Sequence, residues 1–213
     1  MQHVNSKSIS QNASSGRAAA IENILLAVGD EAARSGLDRI RMGEIAARAN
    51  VSRASLYRYF ASKDELIRAW TTRELETIFA EADRAAAEAE TSGERLAAGF
   101  ASMLIALRNH PIFRAVVASN NTQIVRSTLE SGEAINRSRE LLLRIDDSTS
   151  ADRLSVGQDD SSVAGELIAR LAMSLTVAPE SIGRLDSEAD VREFALKHIA
   201  PLASGSRDDR PLG

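Results

Sequence analysis

The 213-residue sequence contains no cysteine, so it forms no disulfide and offers no thiolate ligand to a metal ion. Its histidines, His3, His110 and His198, are too scattered along the chain to suggest a zinc cluster. No apolar run approaches the length of a membrane span, and the N-terminus lacks an apolar signal segment. These absences predict a soluble, cytoplasmic protein with no metal and no membrane partner.

Proline and aromatic residues are also scarce, with four prolines and 4% aromatic residues in the chain. The low proline content, together with frequent Ala, Leu, Arg and Glu, favours helices. Apolar residues recur at helical spacing in Ile21, Leu25, Val28 and Ala32, and no β-hairpin signal is present. The sequence therefore predicts an all-α fold of about nine helices.

The residue patterns of common catalytic sites are missing as well. No nucleophile is paired with a base, no glycine-rich phosphate loop is present, and no metal-ligand spacing occurs. Two acidic pairs, Asp146 with Asp147 and Asp159 with Asp160, lie in a polar stretch and are interpreted as solvated charges. We therefore predict no catalytic residue and no cofactor, and an enzyme is the least favoured alternative.

Residues 42–60, MGEIAARANVSRASLYRYF, have the spacing of two short helices joined by a tight turn. The small Ala46 permits the helices to cross closely, and Asn50 tolerates the left-handed backbone conformation that the turn requires. The apolar positions that the two helices share are Ile45, Val51 and Leu56. The pattern predicts helices over 42–49 and 53–59, the second capped by Ser52. In a helix-turn-helix the second helix enters the DNA major groove.

Charge is distributed unevenly along the chain, whose net charge is −4. Residues 1–68 hold ten Lys/Arg and seven acidic residues, a balance of +3, so the remainder carries −7. A basic segment on an acidic body is typical of a DNA-binding domain attached to a sensor or scaffold. Chance segregation of the charges remains the alternative.

The stretch IAARANVSRASLYRYFASKDELI, with the helix before it, resembles the TetR family of bacterial transcriptional regulators over residues 17–68. The shared pattern xIAxxAxVSxxxLYxYFxSKxxL includes the turn, the aromatic cluster and the start of the next helix. Two positions depart from the family: Arg41 stands where Thr usually caps the first helix, and Asn50 replaces the commoner Gly. An Arg side chain cannot accept the backbone N–H bonds that a Thr hydroxyl accepts.

The resemblance implies DNA contacts from the exposed start and outer face of the second helix, from its C-terminal end, and from the start of the next helix. We expect Arg53 or Arg58 to bind guanine or phosphate, and Lys63 to bind phosphate. The alternatives are that Tyr57 is a half-buried packing residue and that Arg48 and Arg39 are ordinary solvated charges. The predicted DNA-binding residues are Arg41, Arg53, Ala54, Ser55, Tyr57, Arg58, Tyr59 and Lys63.

These patterns divide the chain into four segments. Residues 1–16, polar and aperiodic, are expected to form a disordered arm, and residues 204–213 a flexible tail. Residues 17–62 form the DNA-binding domain and residues 63–203 a helical ligand-binding and dimerisation domain. Within the latter, helices are expected over 63–89, around 96–107, and over 163–178 and 187–203.

The family resemblance further implies a homodimer that places two recognition helices in successive major grooves of double-stranded DNA. The candidate interface residues, which alternatively bury against their own chain, are Leu167, Ile168, Leu171, Leu175, Val191, Phe194, Ala195 and Ile199. A small, hydrophobic effector is expected in a cavity whose candidate wall residues are Phe100, Met103, Leu104, Leu107, Phe113, Val117 and Met173. The predicted function is a ligand-released repressor; the alternative is a helical interaction protein that does not bind DNA.

Overall fold

The computed structural model of the protein describes residues 5–111, 113–114, 132, 135–137, 140, 158–178 and 185–203. Over these residues eight α-helices have defined bounds, one 3-10 helix covers Leu37–Arg39, and no strand occurs, which confirms the all-α prediction. The α-helices are α1 Asn5–Ser35, α2 Met42–Arg48, α3 Arg53–Tyr59, α4 Lys63–Ala87, α5 Ser92–Asn109, α6 Gln158–Val177, α7 Glu188–His198 and α8 Ala200–Ala203.

The chain forms two compact units, Met1–Glu74 and Leu75–Gly213. The division therefore lies inside α4, whereas the sequence suggested a boundary before residue 63. The first half of α4 belongs to the N-terminal unit because Trp70 packs on α1: a Cβ at Gly29 would lie 3.3 Å from the indole Nε1. Only glycine allows this close approach without displacing the indole.

The N-terminal end of α1 differs from the expected disordered arm over residues 1–16. The helix begins at Asn5, so residues 5–16 are helical. This segment contains no proline that would interrupt a helix, and the alanines at 18–20 directly after it favour helix formation. Once a helix has formed there, each residue added to its N-terminal end gains one backbone hydrogen bond. The predicted tail, residues 204–213, lies outside the described residues.

A buried ionic cluster joins α1 to α2. Glu31 is almost fully buried, and its Oε1 accepts a hydrogen bond of 2.6 Å from the Ser35 hydroxyl. Its Oε2 accepts from Arg34 at 2.5 Å and from Arg48 of α2 at 3.2 Å. The hydrogen bond from Ser35, followed by that from Arg34, lowers the pKa of Glu31 below its ordinary value. Arg48 is therefore a structural partner of α1 rather than a solvated charge.

We expect Glu31→Gln to destabilise the protein in a pH-dependent way. Because the folded pKa of Glu31 lies below the ordinary value of 4.5, its carboxylate contributes stability above that pH. The contribution is lost as the pH falls through the lowered folded pKa. Urea unfolding of both proteins should therefore show a difference in unfolding free energy at pH 7 that shrinks below pH 4.5. The control is Glu44→Gln, at an exposed carboxylate, and a difference that stays constant down to pH 3 would contradict the prediction.

The second unit is built around α5, which begins with a capping box formed by Thr91 and Glu94. Its buried face packs against α6 and α7 through a single apolar core. At the other end of α5, the Arg108 guanidinium donates to the Leu175 carbonyl at 3.1 Å and to the Leu185 carbonyl at 2.5 Å. Burial lowers the pKa of Arg108, and Asp186 opposes that shift. Arg108 thus satisfies carbonyls at the end of α6 and before α7.

Candidate nucleic-acid interface

The turn between α2 and α3 has the predicted geometry. Asn50 has φ of 54°, in the left-handed region, and is the non-glycine residue that adopts it within the described ranges. The backbone N–H of Val51 donates to the Ala46 carbonyl at 2.9 Å, which closes the turn. Ile45, Ala46 and Leu56 are buried between the helices. The helix-turn-helix expected from the local sequence is therefore present.

Substitution of Asn50 tests this turn. Asn50→Ala is expected to lower the free energy of unfolding by about 1 kcal/mol, because an ordinary L-residue is strained at positive φ. Asn50→Gly should leave the free energy of unfolding almost unchanged, since glycine adopts this backbone freely. Chemical denaturation of the two variants measures the contrast, and equal stabilities would argue against a strained turn.

The recognition helix α3 presents a basic face to solvent. The Ser52 hydroxyl accepts the Ser55 backbone N–H at 3.0 Å, which confirms the predicted cap. Leu56 is buried on the inner side. The exposed residues are Arg53, Ala54, Tyr57 and Arg58. Tyr57 is 53% exposed, so the half-buried packing role is wrong and its ring is available on the outer face.

Arg53 lies back over the first turn of α2. A Cβ added at Gly43 would be 2.5 Å from the Arg53 Nη2, so the guanidinium rests on the backbone of Gly43. No salt bridge to Arg53 occurs among the residues with described positions. The charge is therefore held at the surface, between the starts of the two helices, without an acidic partner from that part of the chain.

Tyr59, at the end of α3, is flanked by two guanidinium groups. The Arg58 Cζ lies 5.3 Å from the centre of the ring, and the Arg17 Cζ of α1 lies 5.7 Å from it. Both distances are within the range of cation–π interactions. Sequence reasoning identified Tyr59 and Arg58 but missed Arg17, which is far from the motif in sequence. The available signal was that residues 1–21 contain no acidic residue.

The two remaining predicted contacts, Lys63 and Arg41, have partners within the unit. The Lys63 Nζ donates to the Asp38 carbonyl at 2.9 Å, which ties the start of α4 to the 3-10 helix. Arg41 is the N-cap residue of α2 and makes no side-chain capping bond, as its chemistry predicts. Its exposed guanidinium pairs with Glu44 at 3.4 Å. Contact of these residues with DNA stays a prediction.

A small apolar cavity of about 20 Å³ lies in the second unit, with room for one water molecule. It is lined by Leu75, Ile78, Phe79, Met103, Leu107, Ala169, Ala172 and Met173. Phe100, Leu104 and Phe113 were predicted as wall residues, but they are packed in the core and do not line this cavity. Val117 lies outside the described residues. Three wall residues come from α4, whose second half carries an apolar stripe that the sequence analysis did not assign to the cavity.

The predicted dimer residues are mostly core residues of the same chain. Five of them are buried within the second unit, which corrects their assignment to an interface: Ile168, Leu175, Val191, Ala195 and Ile199. Leu171 and Phe194 are partly buried against that core. Leu167 is 50% exposed and shares the outer face of α6 with Val163, which is 59% exposed. Sequence periodicity identified the apolar faces but not what covers them.

Two wider features bear on the class of protein. No helix in the described part of the chain is both long and apolar enough to cross a bilayer. Among the same residues, no group of three or more potential metal ligands comes together. In the N-terminal unit, a helix-turn-helix exposes basic residues on its second helix, which is the arrangement that such motifs present to DNA.

Comparison with known proteins points in the same direction. Residues 25–70 match the family described as bacterial regulatory proteins, tetR family. An uncharacterized HTH-type transcriptional regulator of Mycobacterium tuberculosis is 30% identical over 173 residues, which cover 79% of each protein. The HTH-type transcriptional repressor KstR of Mycolicibacterium smegmatis is 36% identical over 81 residues, 38% of this chain and 40% of KstR.

Solved structures share the fold. The TetR family repressor AlkX from Dietzia sp., implicated in biodegradation of n-alkanes, has a TM-score of 0.64 at 21% identity, covering 85% of this chain and 93% of AlkX. RolR in complex with resorcinol has a TM-score of 0.63 at 16% identity, covering 94% of this chain and 98% of RolR. With the helix-turn-helix in place and a regulator of 30% identity spanning most of both proteins, this chain belongs to the tetR family of bacterial transcriptional regulators.

Proposed function

We propose that the protein is a transcriptional repressor that binds a palindromic operator as a homodimer and is released by a small hydrophobic molecule. The observation that carries the proposal is the outer face of α3, where Arg53, Tyr57 and Arg58 are exposed. Basic side chains on a recognition helix, with no acidic partner among the described residues, suit the phosphates and base edges of a major groove. A DNA target places the protein in the bacterial cytoplasm.

The proposed dimer forms through the outer face of α6. One recognition helix contacts too few base pairs for a unique genomic site, and a two-fold dimer doubles the number. Val163 and Leu167 are large apolar side chains exposed on one side of α6, and Leu196 is exposed on α7. Burial of such side chains against a second copy of the chain removes apolar surface from water.

The proposed effector enters the apolar cavity of the second unit. Its described wall consists of aliphatic, methionine and phenylalanine side chains, which favour an uncharged, hydrophobic molecule. The cavity holds only about 20 Å³, so the wall must move to admit a ligand. Met103 and Met173 suit this movement because methionine side chains repack easily. The repressor AlkX, implicated in n-alkane biodegradation, and RolR, solved in complex with resorcinol, share this fold, which supports a small organic effector.

Helix α4 provides the proposed coupling between effector and DNA. Leu75, Ile78 and Phe79 line the cavity, and Lys63 begins the same helix directly after the recognition segment. A ligand that binds the DNA-free conformation more tightly shifts the population away from the operator-bound form. By linkage, operator DNA must weaken ligand binding by the same factor.

Selection of bound fragments from random duplex DNA is the experiment that tests this function. We expect a palindromic consensus with half-sites about one helical turn apart. Affinity for the recovered duplex should fall steeply with added salt, since phosphate contacts release counterions. A helical interaction protein without DNA binding would enrich no sequence, and that result would exclude the regulator.

A further inference from the structure

A second basic feature adjoins the recognition helix and comes from α1. The Arg17 guanidinium lies over one side of the Tyr59 ring, 5.7 Å from its centre, while Arg58 of α3 is 5.3 Å from the same centre. Arg58 is exposed on the outer side of α3, and Arg17 is exposed as well. The ring therefore brings a charge from the first helix to the edge of the recognition surface.

The charges at this edge are not neutralised by the parts of the chain whose positions are known. Neither Arg17 nor Arg58 forms a salt bridge there, and the polar contact of Arg58 is the Ser55 hydroxyl at 3.4 Å. Two like charges beside one ring repel each other, and an exposed cation–π contact offsets only part of that repulsion. An anion bound at this edge would relieve the repulsion. The anion that a recognition helix brings to such a place is a DNA phosphate.

The helix that carries Arg17 continues well before it. α1 begins at Asn5, so residues 5–16 form a helical segment with a length of about 18 Å. The segment contains Lys7 and no acidic residue, and the first acidic residue of the chain is Glu22. Ser15 and Gly16 are exposed where the segment meets Arg17. The helix that leads into Arg17 therefore supplies no carboxylate that could neutralise its charge.

We propose that Arg17 binds a backbone phosphate of the DNA next to the recognition helix. The contact lies outside the helix-turn-helix. It rests on the proposed function, because it requires that α3 occupy the major groove. Its role is affinity and positioning rather than the reading of bases, since phosphates carry no sequence information.

The test measures affinity of the full-length protein for the duplex recovered by selection, over a series of salt concentrations. Arg17→Ala is expected to weaken binding about tenfold and to reduce the slope of log affinity against log salt by about one per half-site. Arg17→Lys should keep the slope, because the charge remains. Arg84→Ala removes an exposed arginine of the second unit and should change neither quantity. Circular dichroism checks that each variant is folded.

If Arg17→Ala lowers affinity with no change in slope, Arg17 only positions Tyr59 and the phosphate contact is refuted. Failure of the unaltered protein to bind any selected duplex would refute the proposed function itself.

Discussion

Arg53→Ala is expected to weaken operator binding by about ten- to a hundredfold for each half-site. Arg53 is exposed at the N-terminal end of α3, and its guanidinium rests on Gly43 with no salt bridge in the described residues. In a major groove this position suits a bidentate contact to guanine. Because the proposed dimer would present the residue twice, both half-sites would lose the contact together. Titration of labelled operator duplex with the full-length protein measures the loss.

The type of contact can be distinguished with the same assay. If Arg53 binds a base, Arg53→Ala should relax the sequence preference at one position of each half-site. If it binds a phosphate, all sequences should be weakened equally and the salt slope should fall by about one per half-site. Arg84→Ala is the charge-matched control from the second unit. An Arg53→Ala protein that binds like this control would show that Arg53 does not contact DNA.

The Val163→Glu/Leu167→Glu double variant is expected to be monomeric. Both side chains are exposed apolar residues on the outer face of α6, and a carboxylate buried there would be unpaired across the two-fold axis. Sedimentation velocity should show a dimer for the unaltered protein and a monomer for the variant. Operator affinity should fall by about a hundredfold or more, because a monomer contacts a single half-site.

The chain offers a closely matched control for this prediction. Leu26 of α1 is 50% exposed, the same fraction as Leu167, and lies in the other unit. Leu26→Glu makes the same chemical change and should leave the dimer intact by sedimentation. If the double variant also stays dimeric, the outer face of α6 is not the interface.

The DNA-binding part was predictable because its requirements are local. The backbone at Asn50, the close crossing at Ala46 and the buried Leu56 all lie within eleven consecutive residues, and the structure has each of them as expected. The missing side-chain cap at Arg41 was equally predictable, since an arginine side chain has no hydrogen-bond acceptor for the backbone N–H groups at the start of a helix. Such features depend on residue chemistry and spacing alone.

Long-range contacts were not predictable in the same way. The sequence contains no signal that Arg48 pairs with the buried Glu31 or that Arg17 stacks on Tyr59, because charged residues are common and their partners are set by helix packing. The sequence likewise contains no signal that Leu75 and Phe79 line the cavity. The roles of these residues depend on which helix faces pack against each other.

The sequence by itself determined that the chain is helical, where its recognition helix begins and ends, and which helix faces are apolar. Only the tertiary structure decided that Ile168, Leu175 and Val191 are covered by the same chain, while Val163 and Leu167 remain exposed. The physical reason is that the helical periodicity of apolar residues indicates only that one face of a helix is buried. It does not indicate whether that face is buried by a helix of the same chain or by a second copy of the protein.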